Sequence, residues 1–209
     1  MEKLTELLQR YPQLEGCKAE IENALALLLE MYQAGGKLLA CGNGGSSADC
    51  EHIVGELMKC FMIPRPLTEP VKAQLAAVCP EEADRFAAAM QRAIPAISLP
   101  SQTAILSAYV NDVDPEFAYA QLVQGYGRAG DVVLGISTSG NSKNVVRAVQ
   151  MAKALGLKTL ALTGSKESKL SGLCDVTIRV PETETFKVQE LHLPVYHYLC
   201  AALEETLFG

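Results

Sequence analysis

Two stretches of this chain follow one pattern. Lys37-Leu38-Leu39-Ala40-Cys41 is a short apolar run that opens into Gly42-Asn43-Gly44-Gly45-Ser46-Ser47, followed by a helical pattern from about Ser46 to Lys59. Asp131-Val132-Val133-Leu134-Gly135-Ile136 opens in the same way into Ser137-Thr138-Ser139-Gly140-Asn141-Ser142, then a helix through Asn144, Val145, Ala148 and Leu155. Short, unbroken apolar runs are the mark of strands buried on both faces, and strands of that kind are joined by helical crossovers into parallel sheets. Further strands are predicted at 159–163, 175–180 and around 96–99. The pattern therefore predicts an α/β fold with a mainly parallel sheet covered by helices on both faces.

Helices frame the strands. From Glu2 to about Gln33 apolar residues recur at helical spacing, including Ile21, Ala24, Leu27, Leu28 and Met31, until Gly35-Gly36 stops the pattern. A last helix runs from about Thr185 to Leu207. Residues 66–92 differ in character, with prolines and then an alanine-rich charged stretch, and read as a helical insertion within a single domain over 1–209. A chain of 209 residues with 49% hydrophobic content is long enough for one substantial core.

Charge and composition narrow the function. Net charge is −6 and the basic residues are scattered, so the sequence carries no footprint for nucleic acid. No apolar run approaches the roughly 20 residues that span a bilayer. Met1-Glu2-Lys3 leads into an amphipathic helix rather than a signal-peptide core, so a soluble, cytoplasmic protein is expected. The seven cysteines form no Cys-x-x-Cys pair and several sit in apolar patterns, which predicts free thiols. Cys41, beside the glycine loop, is read as structural.

The chemistry concentrates in four places. The 137–142 loop carries four hydroxyls and a glycine where a strand hands over to a helix, a position whose free N–H groups and dipole attract an anion. One serine would suffice for an ordinary N-cap, so Ser137, Thr138, Ser139 and Ser142 together point to phosphate. Neither Gly-Lys-Ser/Thr nor Gly-x-Gly-x-x-Gly is present, so no nucleotide cofactor is expected. In the 41–47 loop the glycines permit close approach, and Asn43, Gly44, Ser46 and Ser47 are candidates for contact with a sugar or its phosphate. His52 and Glu56, at i and i+4, share one helix face; they suit proton transfer, metal ligation or a plain surface pair. Gln189, Glu190, His192 and His197 interrupt the apolar pattern of the last helix.

The segments CGNGGSSADCEH, GISTSGNS and VQELHLPVYH together resemble the sugar isomerase (SIS) domain, most closely the bacterial phosphoheptose isomerases. The resemblance implies a flavodoxin-like three-layer sandwich and a homotetramer with sites at subunit interfaces. It also implies conversion of sedoheptulose 7-phosphate to D-glycero-D-manno-heptose 7-phosphate through an enediol. By the same resemblance Glu56 is the base and His197 its acid/base partner. Ser137, Thr138, Ser139 and Ser142 surround phosphate, while Asn43, Ser46 and Asp112 contact the sugar. A zinc ion found in some members would take His52, Glu56, Gln189 and His197. Three departures stand out: Cys60, next to Lys59, replaces an expected arginine; the 66–92 segment is longer than usual; and Pro194 predicts a kink between Gln189 and His197. Two other readings belong to the same fold: an adaptor that binds the replication initiator protein without chemistry, and an isomerase or sensor for another sugar phosphate.

Overall fold

The apolar runs become the strands of one sheet in the computed structural model, which describes residues 2–209. The strands are β1 (Leu38–Gly42), β2 (Ala96–Ser98), β3 (Val132–Ile136), β4 (Lys158–Thr163) and β5 (Val176–Arg179). All neighbours are parallel, in the order β2-β1-β3-β4-β5. The helices in chain order are α1 (Glu2–Arg10), α2 (Lys18–Gln33), α3 (Gly45–Met58), α4 (Glu69–Val78), α5 (Ala83–Ala89), α6 (Thr103–Asp112), α7 (Ala118–Tyr126), α8 (Lys143–Ala154), α9 (Lys169–Leu173) and α10 (Thr185–Phe208).

Side chains alternate across the sheet, as the two-residue period of a strand demands. Leu38, Ala40, Val132, Leu134, Ile136, Leu160 and Leu162 join α1, α2, α3 and α10 in one core. Leu39, Cys41, Val133 and Ala161 join α7, α8 and α9 in the other. The central strands β1, β3 and β4 are thus buried on both sides, which is why they read as runs rather than alternations.

The connectivity places the site. From β1 the chain moves outward to β2, and from β3 outward the opposite way to β4, so β1 and β3 form the switch point where this strand order opens a crevice at the carboxyl edge. Gly42 is opposite Ile136 in the register, so the two loops leave that edge side by side. The other end is pinned by Asp131, which accepts from the Lys37 N–H at 2.9 Å and from Lys37 Nζ at 2.6 Å.

The insertion stands apart from both cores. Neither α4 nor α5 has a buried residue. Its neck is closed by a bridge between Pro66 and Gln91 and by the Arg92 N–H donating to the Arg65 carbonyl at 2.8 Å. α10 continues through Pro194 without interruption. Helices α6, α7 and α9 were not expected from the sequence: α6 has no buried residue and α9 is only five residues long. Among the described residues no helix is long and apolar enough to cross a membrane.

Candidate active site

The first loop is built by a glycine and held by three side chains. Gly44 has φ +57° and ψ −121° as the chain turns from β1 into α3, a conformation that glycine adopts freely and a residue with a Cβ does not. Tyr119 Oη donates to the Gly42 carbonyl at 2.7 Å. Asn43 and Asn144 exchange reciprocal amide hydrogen bonds of 2.9 and 2.8 Å, tying this loop to the first turn of α8. Gln189 lies over Gly45 so closely that a Cβ there would come within 2.5 Å of its Nε2.

The second loop is a tight turn closed by the Gly140 N–H donating to the Ser137 carbonyl at 2.9 Å, with Gly140 at φ +64°. Ser142 occupies the N-cap of α8, yet its side chain makes no capping bond. Its hydroxyl meets Ser137 Oγ at 2.9 Å instead. The Val145 N–H donates to Asn144 Oδ1 at 3.0 Å, so the N–H groups of Lys143 and Asn144 are the ones left for an anion at the start of α8. The Thr138 carbonyl is turned away and accepts from the Gly164 N–H at 3.0 Å, so its negative end does not oppose a phosphate.

A second cluster lies further along α3, against α10. His52 Nε2 is 3.3 Å from Glu56 Oε1 and 3.4 Å from His197 Nε2. His52 Nδ1 meets Tyr196 Oη at 3.0 Å, and Tyr196 donates to Asp49 Oδ1 at 3.2 Å. Phe61 lies against the His197 ring, with centroids 5.6 Å apart. Glu56 Oε2 is buried without a partner, a costly state that marks the group for chemistry. Burial pushes the His197 imidazole below its ordinary pKa, nearby His52 adds to this, and Glu56 opposes it. Burial likewise raises Asp49. Tyr196 and Asp49, absent from the sequence-based set, join because α10 returns about 145 residues later in the chain.

The structure sorts the candidates into two groups. Asn43, Gly44, Ser47, Ser137, Thr138, Ser139, Ser142 and Gln189 gather at the crevice, while His52, Glu56 and His197 form the cluster. Ser46 is only 2% exposed and packs on Gly42 through its backbone and Cβ. Asp112, exposed at the end of α6, accepts from Asn111 at 2.7 Å and has no hydrogen bond to either loop among the described residues. Three of the four residues of the zinc set, His52, Glu56 and His197, lie together, while Gln189 lies against Gly45, about 10 Å along α3 from His52. Cys41 is fully buried and its thiol is raised by burial, in keeping with a structural role; all seven cysteines are free.

Comparison with known proteins agrees with this geometry. Residues 1–77 and 104–202 match two SIS domain models. The phosphoheptose isomerase of Aneurinibacillus thermoaerophilus is 37% identical over 188 residues, which are 90% of this chain and 82% of that one. The solved phosphoheptose isomerase of Neisseria gonorrhoeae superposes with a TM-score of 0.71 at 30% identity, covering 95% of this chain and 94% of the other. That of Francisella tularensis gives 0.73 at 25% identity, covering 96% and 94%. The crevice at the β1/β3 switch point, its uncapped serine loop and the His52–Glu56–His197 cluster thus lie in a chain that belongs to the phosphoheptose isomerase family of SIS-domain proteins.

Proposed function

We propose that this enzyme converts sedoheptulose 7-phosphate to D-glycero-D-manno-heptose 7-phosphate. The observation that carries the reading is the N-terminus of α8: Ser142 turns to Ser137 instead of capping it, so the Lys143 and Asn144 N–H groups and the serine hydroxyls face the switch point where a phosphate would sit. The phosphate then acts as a handle, and its binding energy orients the sugar.

Chemistry is assigned to the cluster. Glu56 removes a proton from C1 of the ketose, and the C–H electron pair becomes the C1=C2 bond of an enediol. His197, neutral because burial depresses its pKa, gives its N–H proton to the oxygen at C2 as charge develops there. Glu56 then returns its proton to C2 while His197 takes back a proton from O1, which leaves the aldehyde at C1 and both groups as they began.

The adaptor reading loses support because the relatives named above are isomerases and because both acid/base candidates are in place beside His52. For the assembly we propose a homotetramer. Helix α6 has no buried residue and leaves Val110 65% and Val113 66% exposed, a surface suited to a second copy, and sedimentation equilibrium checks the number of copies. Seven unpaired thiols suit the reducing cytoplasm. The functional test is a screen of the purified protein against C5 to C7 ketose and aldose phosphates: turnover of sedoheptulose 7-phosphate above the others is expected, and no turnover of any of them would remove the reading.

A further inference from the structure

Arg65 is the largest fully buried side chain of the fold, 1% exposed, and its ion-pair partner Glu204 is equally hidden. Arg65 Nε donates to Glu204 Oε1 at 2.7 Å. Its Nη1 donates to the Leu57 carbonyl at 2.7 Å and its Nη2 to the Glu56 carbonyl at 3.1 Å. These carbonyls belong to the last turn of α3, which ends at Met58 and lacks onward helical partners. The guanidinium therefore caps the helix at the turn that carries Glu56, and its charge matches the negative end of the helix dipole.

Glu204 works on the opposite side. It accepts from the N–H groups of Phe61, Met62 and Ile63 at 2.8, 2.6 and 3.1 Å. That fixes the segment whose Phe61 ring rests on His197. Glu204 also follows His197 by seven residues, two turns along the same face of α10. One ion pair thus joins the backbone of Glu56 to the helix and the aromatic neighbour that orient His197. Burying two charges is rarely the most stable way to fill a core.

We propose that Arg65, through Glu204, is a positioning residue that sets the placement of Glu56 relative to His197. It touches neither substrate nor reacting atoms. The phosphate handle lies at the other end of α3, so the pair should govern turnover and leave substrate binding alone. This inference rests on the assignment of proton transfer to Glu56 and His197.

Lysine keeps the charge but lacks the fork that reaches Glu204 and two carbonyls at once. Arg65→Lys and the near-isosteric Glu204→Gln are assayed for kcat and KM on sedoheptulose 7-phosphate, with circular dichroism reporting the fold. Each folded variant should lose about tenfold or more in kcat with KM within about twofold. A folded variant with wild-type kcat, or one whose loss lies in KM alone, overturns the inference. Should Arg65→Lys fail to fold, Glu204→Gln decides by the same criterion. An inactive wild-type protein would instead remove the proposed function, so the two failures are told apart.

Discussion

Replacing Gly140 by alanine tests the architecture of the phosphate loop. At φ +64° an alanine pays a backbone penalty of about 1–2 kcal/mol. Its Cβ would also overlap the Oγ and Cβ of Ser168. Ser168 caps α9, with its Oγ accepting from the Ser171 N–H at 3.3 Å and its own N–H donating to Ser171 Oγ at 2.8 Å. Pushing Ser168 aside loses a cap of about 1 kcal/mol. Together these effects come to about 2–3 kcal/mol, which for a chain of this length lowers Tm by about 5–10 °C. Thermal melting followed by circular dichroism reads the shift. The same variant should raise KM for a sugar phosphate more than it lowers kcat, because the strained turn carries Ser137, Thr138 and Ser139. A melting temperature within about 2 °C of wild type would refute the reasoning on strain and capping. An unchanged KM in a destabilised variant would refute the placement of phosphate at this loop.

Two other perturbations address separate parts of the fold. Asn144→Ala removes the amide pair that ties the glycine loop to α8; losing hydrogen bonds of about 1 kcal/mol each should raise KM about threefold to tenfold and lower Tm by about 4–8 °C. His192 is fully buried, and burial depresses its pKa from 6.5 to about 4, partly offset by the Thr163 backbone. The unfolded chain takes up a proton below about pH 6.5 while the folded chain does not, so stability falls as pH drops from 6.5 to about 4. The loss amounts to about 3 kcal/mol, and His192→Leu should flatten that part of a chemical-denaturation profile against pH.

What could be read in advance follows from how each feature is encoded. Strands and the two loops were legible because burial on both faces makes runs such as Val132–Ile136, and because small and hydroxyl residues cluster only where the chain must turn close to a ligand. His52 and Glu56 were legible from helical spacing. Asn144, Tyr196 and Arg65 were not, since each gains its role from a partner 101, 147 or 139 residues away. Arg65 sits in a proline-flanked link that reads as surface, and only Glu204, a carboxylate at the end of an apolar helix face, hinted at a buried partner. Ser46 was named from the hydroxyls of the glycine loop and Asp112 from the resemblance; the fold places the first under that loop and the second at the exposed end of α6. Gln189 shares a helix with His197, but eight residues of rise, about 12 Å, part them.

The most direct test of the central claim is Glu56→Gln, which keeps the shape and removes the base. Turnover of sedoheptulose 7-phosphate and its affinity, by calorimetry, are measured on the same preparation. The account predicts a loss of about 10²–10⁴ in kcat with the dissociation constant nearly unchanged. Turnover at the wild-type rate by Glu56→Gln would contradict it.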